Sequence, residues 1–209
     1  MKTSQWTLRR RLLVLFIVAL SIAGFMTYYI GYNYHFHTVI PEQVYRSGEM
    51  SGPDFEAYIK KYHIQSIINL RGYDQGEPWF DAEIKAAQAT GIHHYDINLP
   101  AKGLPAPWRV ARLVMLIETA PRPLLLHCNH GVDRTGFASS LVVILTGNPS
   151  WSAAKSQYSY RYLRVDPRSI APSVMSHYEK WLEKNNLVHS RDNFLRWVNA
   201  SVAANTFDP

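Results

Sequence analysis

The sequence predicts an α/β domain, a central sheet flanked by helices, preceded by one N-terminal transmembrane helix. Three observations lead there. Short apolar runs of strand length alternate with amphipathic runs of helix length from residue 44 onward. An uncharged stretch of nineteen residues, Leu12–Ile30, directly follows Arg9, Arg10 and Arg11. The chain has 209 residues, 47% of them hydrophobic and 18% charged, which fits one ordinary domain with a real core and excludes disorder as its main state.

Leu12–Ile30 shows no polar face recurring every three or four residues, which argues against a buried core helix. Tyr28 and Tyr29 stand where an interfacial aromatic belt is expected. A cleaved signal peptide, cut near Ser21-Ile22-Ala23, is the rival reading, but the apolar run continues through Phe25, Met26 and Ile30 and favours an uncleaved signal anchor. The positive-inside bias then keeps residues 1–11 cytoplasmic and sends the rest of this single-pass protein to a periplasmic or otherwise external compartment. Lys2, Arg9, Arg10 and Arg11 all precede the first acidic residue, Glu42, so the net charge of +6 reflects a basic N-terminus. It is not a nucleic-acid surface, and no nucleic-acid partner is expected. The single cysteine, Cys128, excludes an internal disulfide framework and a CxxC redox pair.

Residues 31–43 read as a linker, in which His35 and His37 lack a third metal ligand. The main domain is expected over 44–188, with a C-terminal helix and tail over 189–209. Val44-Tyr45-Arg46 is a short strand, and Ser51 caps a helix with Pro53 in its first turn, running to about Tyr62. Ser66–Leu70 is a buried strand, Trp79–Thr90 a helix stopped by Gly91, and His93–Leu99 a third strand on which His93 and His94 face opposite sides. Three prolines and a glycine make Pro100–Pro107 a loop. Then come a helix over Trp108–Thr119, an apolar strand Leu124–His127, and an apolar helix Thr135–Leu145 broken at Gly147-Asn148-Pro149. Helices over Ser152–Tyr162, Ala171–Asn185 and Arg191–Ala203 complete the chain.

The chemistry lies in His127-Cys128-Asn129-His130-Gly131-Val132-Asp133-Arg134-Thr135-Gly136, between the apolar strand and the apolar helix. A strand entering a tight turn and then a helix aims successive backbone N–H groups at one point, a nest for an anion. A cysteine at the strand's end feels that field, which favours the nucleophilic thiolate. Arg134 can grip two phosphoryl oxygens through its planar fork, and Gly131 permits the sharp backbone path. The Thr135 hydroxyl can donate to the cysteine sulfur as it leaves. A merely buried structural cysteine would explain neither Arg134 nor the glycine.

This His-Cys-x5-Arg-Thr pattern resembles the active-site loop of the cysteine-dependent protein tyrosine phosphatase superfamily. Val44–Gly48 and Ile68–Arg71 look like its bacterial dual-specificity-phosphatase branch. The resemblance implies a phosphatase-type α/β fold over roughly residues 44 to 185. It also implies in-line attack by Cys128 on phosphorus, a phosphocysteine intermediate, and stabilisation of the equatorial oxygens by Arg134 and the amides of Asn129, His130, Gly131, Val132, Asp133 and Arg134. No metal or cofactor is required. Hydrolysis of phosphotyrosine or phosphoserine/threonine on protein is the expected activity. A phosphoinositide or inositol-polyphosphate substrate at the bilayer surface is the alternative, and a phosphate-binding pseudophosphatase the weakest reading.

The resemblance fails in one place. Related sequences carry a general acid in the loop that here reads Leu99-Pro100-Ala101-Lys102-Gly103-Leu104-Pro105, without Asp or Glu. Asp133, inside the active-site loop, and Asp96, just before the acid-free loop, are the substitutes. Asp133 is preferred because the same Asp-Arg-Thr order occurs in myotubularin-like phosphatases; otherwise it braces the loop. With neither acting, aryl phosphates would still be cleaved, because their leaving groups need less protonation. His127 orients the loop, and His130 either meets substrate or is a spectator. Arg46, Arg71, Arg109, Arg112, Arg161, Arg164 and Arg168 are candidates for a basic rim, and Tyr158, Tyr160 and Tyr162 for packing.

Overall fold

The computed structural model describes residues 2–28, 34–146 and 150–208. Its strands are β1 (His37–Ile40), β2 (Val44–Ser47), β3 (Ser66–Asn69), β4 (His93–Asp96) and β5 (Leu124–His127). The helices are α1 (Lys2–Met26), α2 (Gly52–Tyr62), α3 (Pro78–Thr90), α4 (Pro107–Thr119), α5 (Asp133–Leu145), α6 (Trp151–Ser156), α7 (Ile170–Lys184) and α8 (Arg191–Ala204). The strands form one sheet in the order β1-β2-β5-β3-β4, in which only β1 runs antiparallel to its neighbour. Register places Ser47, His127, Asn69 and Asp96 in one row across the sheet. The loops after β2, β5, β3 and β4 therefore leave from one level edge, where open α/β sheets bind their ligands.

Local chemistry sets the boundaries. The Ser51 hydroxyl accepts from the Asp54 amide to start α2, and Gly91 takes the left-handed conformation (φ 69°) that ends α3. β5 is covered on both faces. Leu124 and Leu126 pack with Val110, Leu113, Phe137, Leu141 and Trp197 beneath α4, α5 and α8. Leu125 packs with Phe55, Ile59, Ile67 and Ala86 on the side of α2 and α3. Each such leucine contributes about 1.5–3 kcal/mol on burial, and together they fix the strand that carries the cysteine.

Four expectations are corrected. The expectation of a transmembrane helix over residues 12–30 is overturned: no helix among the described residues, which stop at 28 in this stretch, is long and apolar enough to cross a membrane. α1 does contain the apolar run, but its first part carries Arg9, Arg10 and Arg11, and it ends at Met26. Residues 12–26 span about 22 Å at about 1.5 Å per residue, short of a hydrocarbon core of roughly 30 Å. The signal anchor, the membrane partnership through residues 12–30 and the periplasmic or external placement of the domain all rested on that span and fall with it.

The stretch read as a linker contributes β1, which pairs His37 with Arg46 and Thr38 with Tyr45. The helix expected over Ser152–Tyr162 stops at Ser156 and gives way to one 3-10 turn, Tyr160–Tyr162. The carbonyls that would continue it are taken by arginines: Arg46 Nη1 donates to Gln157 O at 2.7 Å, and Arg164 Nε donates to Tyr158 O. Arg46 itself, expected at a basic rim, is wholly buried. The break at residues 147–149 lies outside the described residues.

Candidate active site

Cys128 follows β5 directly, and α5 opens at Asp133, so Asn129–Val132 make the whole turn. Gly131 has φ +70°, and a Cβ there would stand 2.6 Å from Gly48 N and 2.8 Å from Ser47 C. The loop is thus pressed onto the chain leaving β2, and only glycine fits. Its carbonyls are held from outside. Glu49 N donates to Asn129 O at 2.9 Å, His35 Nδ1 to His130 O at 3.1 Å, and Arg46 Nη2 to Gly131 O at 2.9 Å. Arg46 is itself stacked over Tyr162, 3.9 Å from the ring centre. In a trans peptide the N–H points opposite to the C=O. Anchoring those three carbonyls outward therefore turns the amides of His130, Gly131 and Val132 toward the inside of the turn, beside the N-terminus of α5.

Cys128 is 3% exposed and stands with the α4–α5 side of the core. The Arg134 Nε is buried and has no hydrogen-bond partner among the described residues. Arg71 lies over the Trp79 ring at 3.5 Å and pairs with Glu49. Burial holds the Arg71 guanidinium below its usual value, and the like charge of Arg134 adds to this, while Asp74, Cys128 and Glu83 act the other way. Two guanidiniums and the thiol thus share one field at the edge of the sheet.

The two candidate acids differ in their engagement. Asp133 is half-buried at the first position of α5, and nothing caps the helix from Val132. Asp96 accepts from Asn69 Nδ2 at 2.8 Å and stands 3.6 Å from His94 Nδ1. Thr135 aims its hydroxyl at Ser47 O, 3.4 Å away. The other arginines divide: Arg109 and Arg112 line a depression of about 480 Å³ with Tyr73, His94, Asp96 and Trp108, while Arg168 pairs with Asp166. On the opposite flank, His130, Val132, Tyr160, Leu163 and Val165 meet Met26 around an apolar hollow of about 440 Å³.

Sequence reasoning missed Glu83. It is fully buried, and its Oε1 accepts from His127 Nε2 and from His94 Nε2, each at 2.8 Å. Burial raises the Glu83 carboxyl, but the charge and hydrogen bonds of His127 and His94 outweigh that and hold it down to about 2. A signal existed: Phe80, Glu83 and Ala86 or Ala87 recur at helical spacing, so the apolar face of α3 includes the glutamate.

The comparisons agree with this geometry. Residues 30–204 match the tyrosine phosphatase family, and the chain belongs to that family. It is 26% identical over 129 residues to an inositol diphosphatase, DSP3, of Arabidopsis thaliana, a match covering 59% of this chain and 60% of that protein. The chain thus spans about 60% of that relative's length. The core catalytic domain of the PP-IP phosphatase SIW14 of S. cerevisiae, with citrate, superposes at a TM-score of 0.55 with 20% identity, over 72% of this chain and 92% of that one. A mutant form of Tk-PTP gives 0.54 with 16% identity, over 72% and 95%. Both show the shared fold.

Proposed function

We propose that this protein hydrolyses phosphomonoesters on phosphotyrosine or phosphoserine/threonine side chains of proteins. Cys128 is the nucleophile, and the amides of residues 129–134 with Arg134 hold the phosphoryl oxygens. In the first step the thiolate sulfur bonds to phosphorus as the ester oxygen leaves, taking a proton from Asp133. In the second, water gives a proton back to Asp133 as its oxygen bonds to phosphorus, the P–S bond breaks, phosphate departs and the thiolate is restored. No metal or cofactor enters either step. The observation that carries this reading is the outward anchoring of the loop carbonyls around Cys128, with the unpartnered Arg134 Nε beside them. Asp133 is favoured as the acid because Asp96 is already tied to Asn69. The apolar hollow beside His130 and Val132 suits the side chains flanking a phosphorylated residue.

A second reading, an inositol polyphosphate or phosphoinositide, draws on the other flank. Arg109 and Arg112 line the depression there, Arg71 shares the field of Arg134 and Cys128, and the curated relative's name is that of an inositol diphosphatase. Phosphate release from phosphotyrosine and phosphoserine peptides, compared with release from inositol phosphates at equal concentration, decides between them. Peptide turnover at least tenfold higher in kcat/KM supports the first reading, and the reverse order replaces it with the second.

A further inference from the structure

We propose that Glu83 is a positioning residue of this phosphatase, holding Cys128 in its reactive place through His127. The inference rests on Cys128 being the nucleophile. One carboxylate oxygen takes both imidazole N–H groups, so Glu83 links α3 to β5 through His127 and to β4 through His94. His127 is the last residue of the central strand, and its carbonyl accepts from Leu70 N at 2.9 Å. Side chain and backbone of the residue preceding Cys128 are therefore both fixed. The groups facing Glu83 are His127 from β5 and His94 from β4, and its charge is felt by Arg71 after β3. Phe55 of α2 meets the His127 ring edge-on at 5.3 Å, which excludes water from that side.

Stability alone does not call for this arrangement. A fully buried carboxylate carries a desolvation cost, and replacing such a pair with apolar side chains of similar size is often neutral or stabilising. What a carboxylate does here, and an apolar side chain cannot, is accept the His127 Nε2–H and so fix the ring and the strand end that carries Cys128. Glu83→Gln keeps shape and one acceptor oxygen but removes the charge.

The test uses the full chain with Glu83→Gln, His127→Asn and the double variant. It measures thermal midpoint, kcat and KM on an aryl phosphate, and the rate at which iodoacetamide alkylates the chain's one cysteine at neutral pH. For Glu83→Gln we expect a folded protein whose kcat falls about tenfold to a hundredfold at nearly unchanged KM, with alkylation slowed in step. On the His127→Asn background the same substitution should add little, because Glu83 acts through His127. Unchanged alkylation and kcat, faster alkylation, or losses that add fully on the His127→Asn background would each overturn the proposal. Alkylation reads Cys128 without any substrate, so absent turnover in the wild type would count against the proposed reaction while leaving the role of Glu83 decidable.

Discussion

The loop after β5 and the loop after β4 leave the same edge of the sheet and are held by different means. Residues 128–132 are gripped from outside by buried donors, Arg46 and His35, and by the close seat of Gly131 on Gly48, so their amides face inward. Residues 97–106 are tied sideways to the segment before α7. Lys102 pairs with Asp166 at 2.6 Å, Gly103 N donates to Arg168 O at 2.8 Å, and Ile170 N donates to Ala101 O at 3.0 Å. This loop, which carries no acid, thus holds a cation used as a brace. The first loop concentrates the candidate chemistry, and the second stiffens the rim.

That contrast can be broken experimentally, and the largest effect belongs to the first loop. Cys128→Ser should abolish phosphate release, a loss on the order of 10⁴-fold or more, measured with an aryl phosphate. Next, Asp133→Asn should lower kcat on alkyl phosphates by about 10²-fold or more while sparing aryl phosphates. Asp96→Asn in the same assay should do much less, and a larger effect from Asp96 would move the acid back toward the β4 loop. Gly131→Ala should cost about 1–3 kcal/mol by urea unfolding, because the added Cβ meets the backbone of Ser47 and Gly48.

A pH series probes the outer anchors. Burial, and then the charge of neighbouring His35, hold His37 down to about 4, and burial lowers His35 as well. Folded values below the unfolded value of about 6.5 mean that the unfolded chain binds more protons. Their stabilisation is full above that pH and is lost as pH falls from about 6.5 through about 4. Glu83, held down to about 2 from an ordinary 4.5, loses its share only at lower pH. His37→Gln should flatten the first fall in urea midpoint and leave the second. The smallest effect is expected in the second loop: Lys102→Ala removes an exposed ion pair and should leave kcat unchanged, with only a slight drop in thermal midpoint.

Much of this was legible because it is local. Ser51 caps α2 and Gly91 ends α3 through their own backbones, and the apolar run of β5 announces a strand buried on both faces. The Cys128-to-Arg134 spacing is likewise set within one turn, so the sequence itself carries the phosphatase loop. What it could not carry depends on partners far along the chain. β1 exists because residues 37–40 find β2, and α6 ends early because Arg46 and Arg164 take the carbonyls of Gln157 and Tyr158. The apolar N-terminal run was read by composition, yet the helix it forms ends at Met26, and the length of a helix is decided by its backbone.

Sequence alone therefore determined the family, the strand–loop–helix unit and its candidate nucleophile, since neighbours within ten residues suffice to define a phosphate-binding turn. Tertiary structure decided the rest. It turned Arg46 from a rim cation into a buried clamp and Lys102 into a brace. It also drew Glu83 from α3 to the imidazole beside Cys128. The physical reason is that a charge is stable in the interior only where fixed partners surround it, and those partners are assembled by the fold.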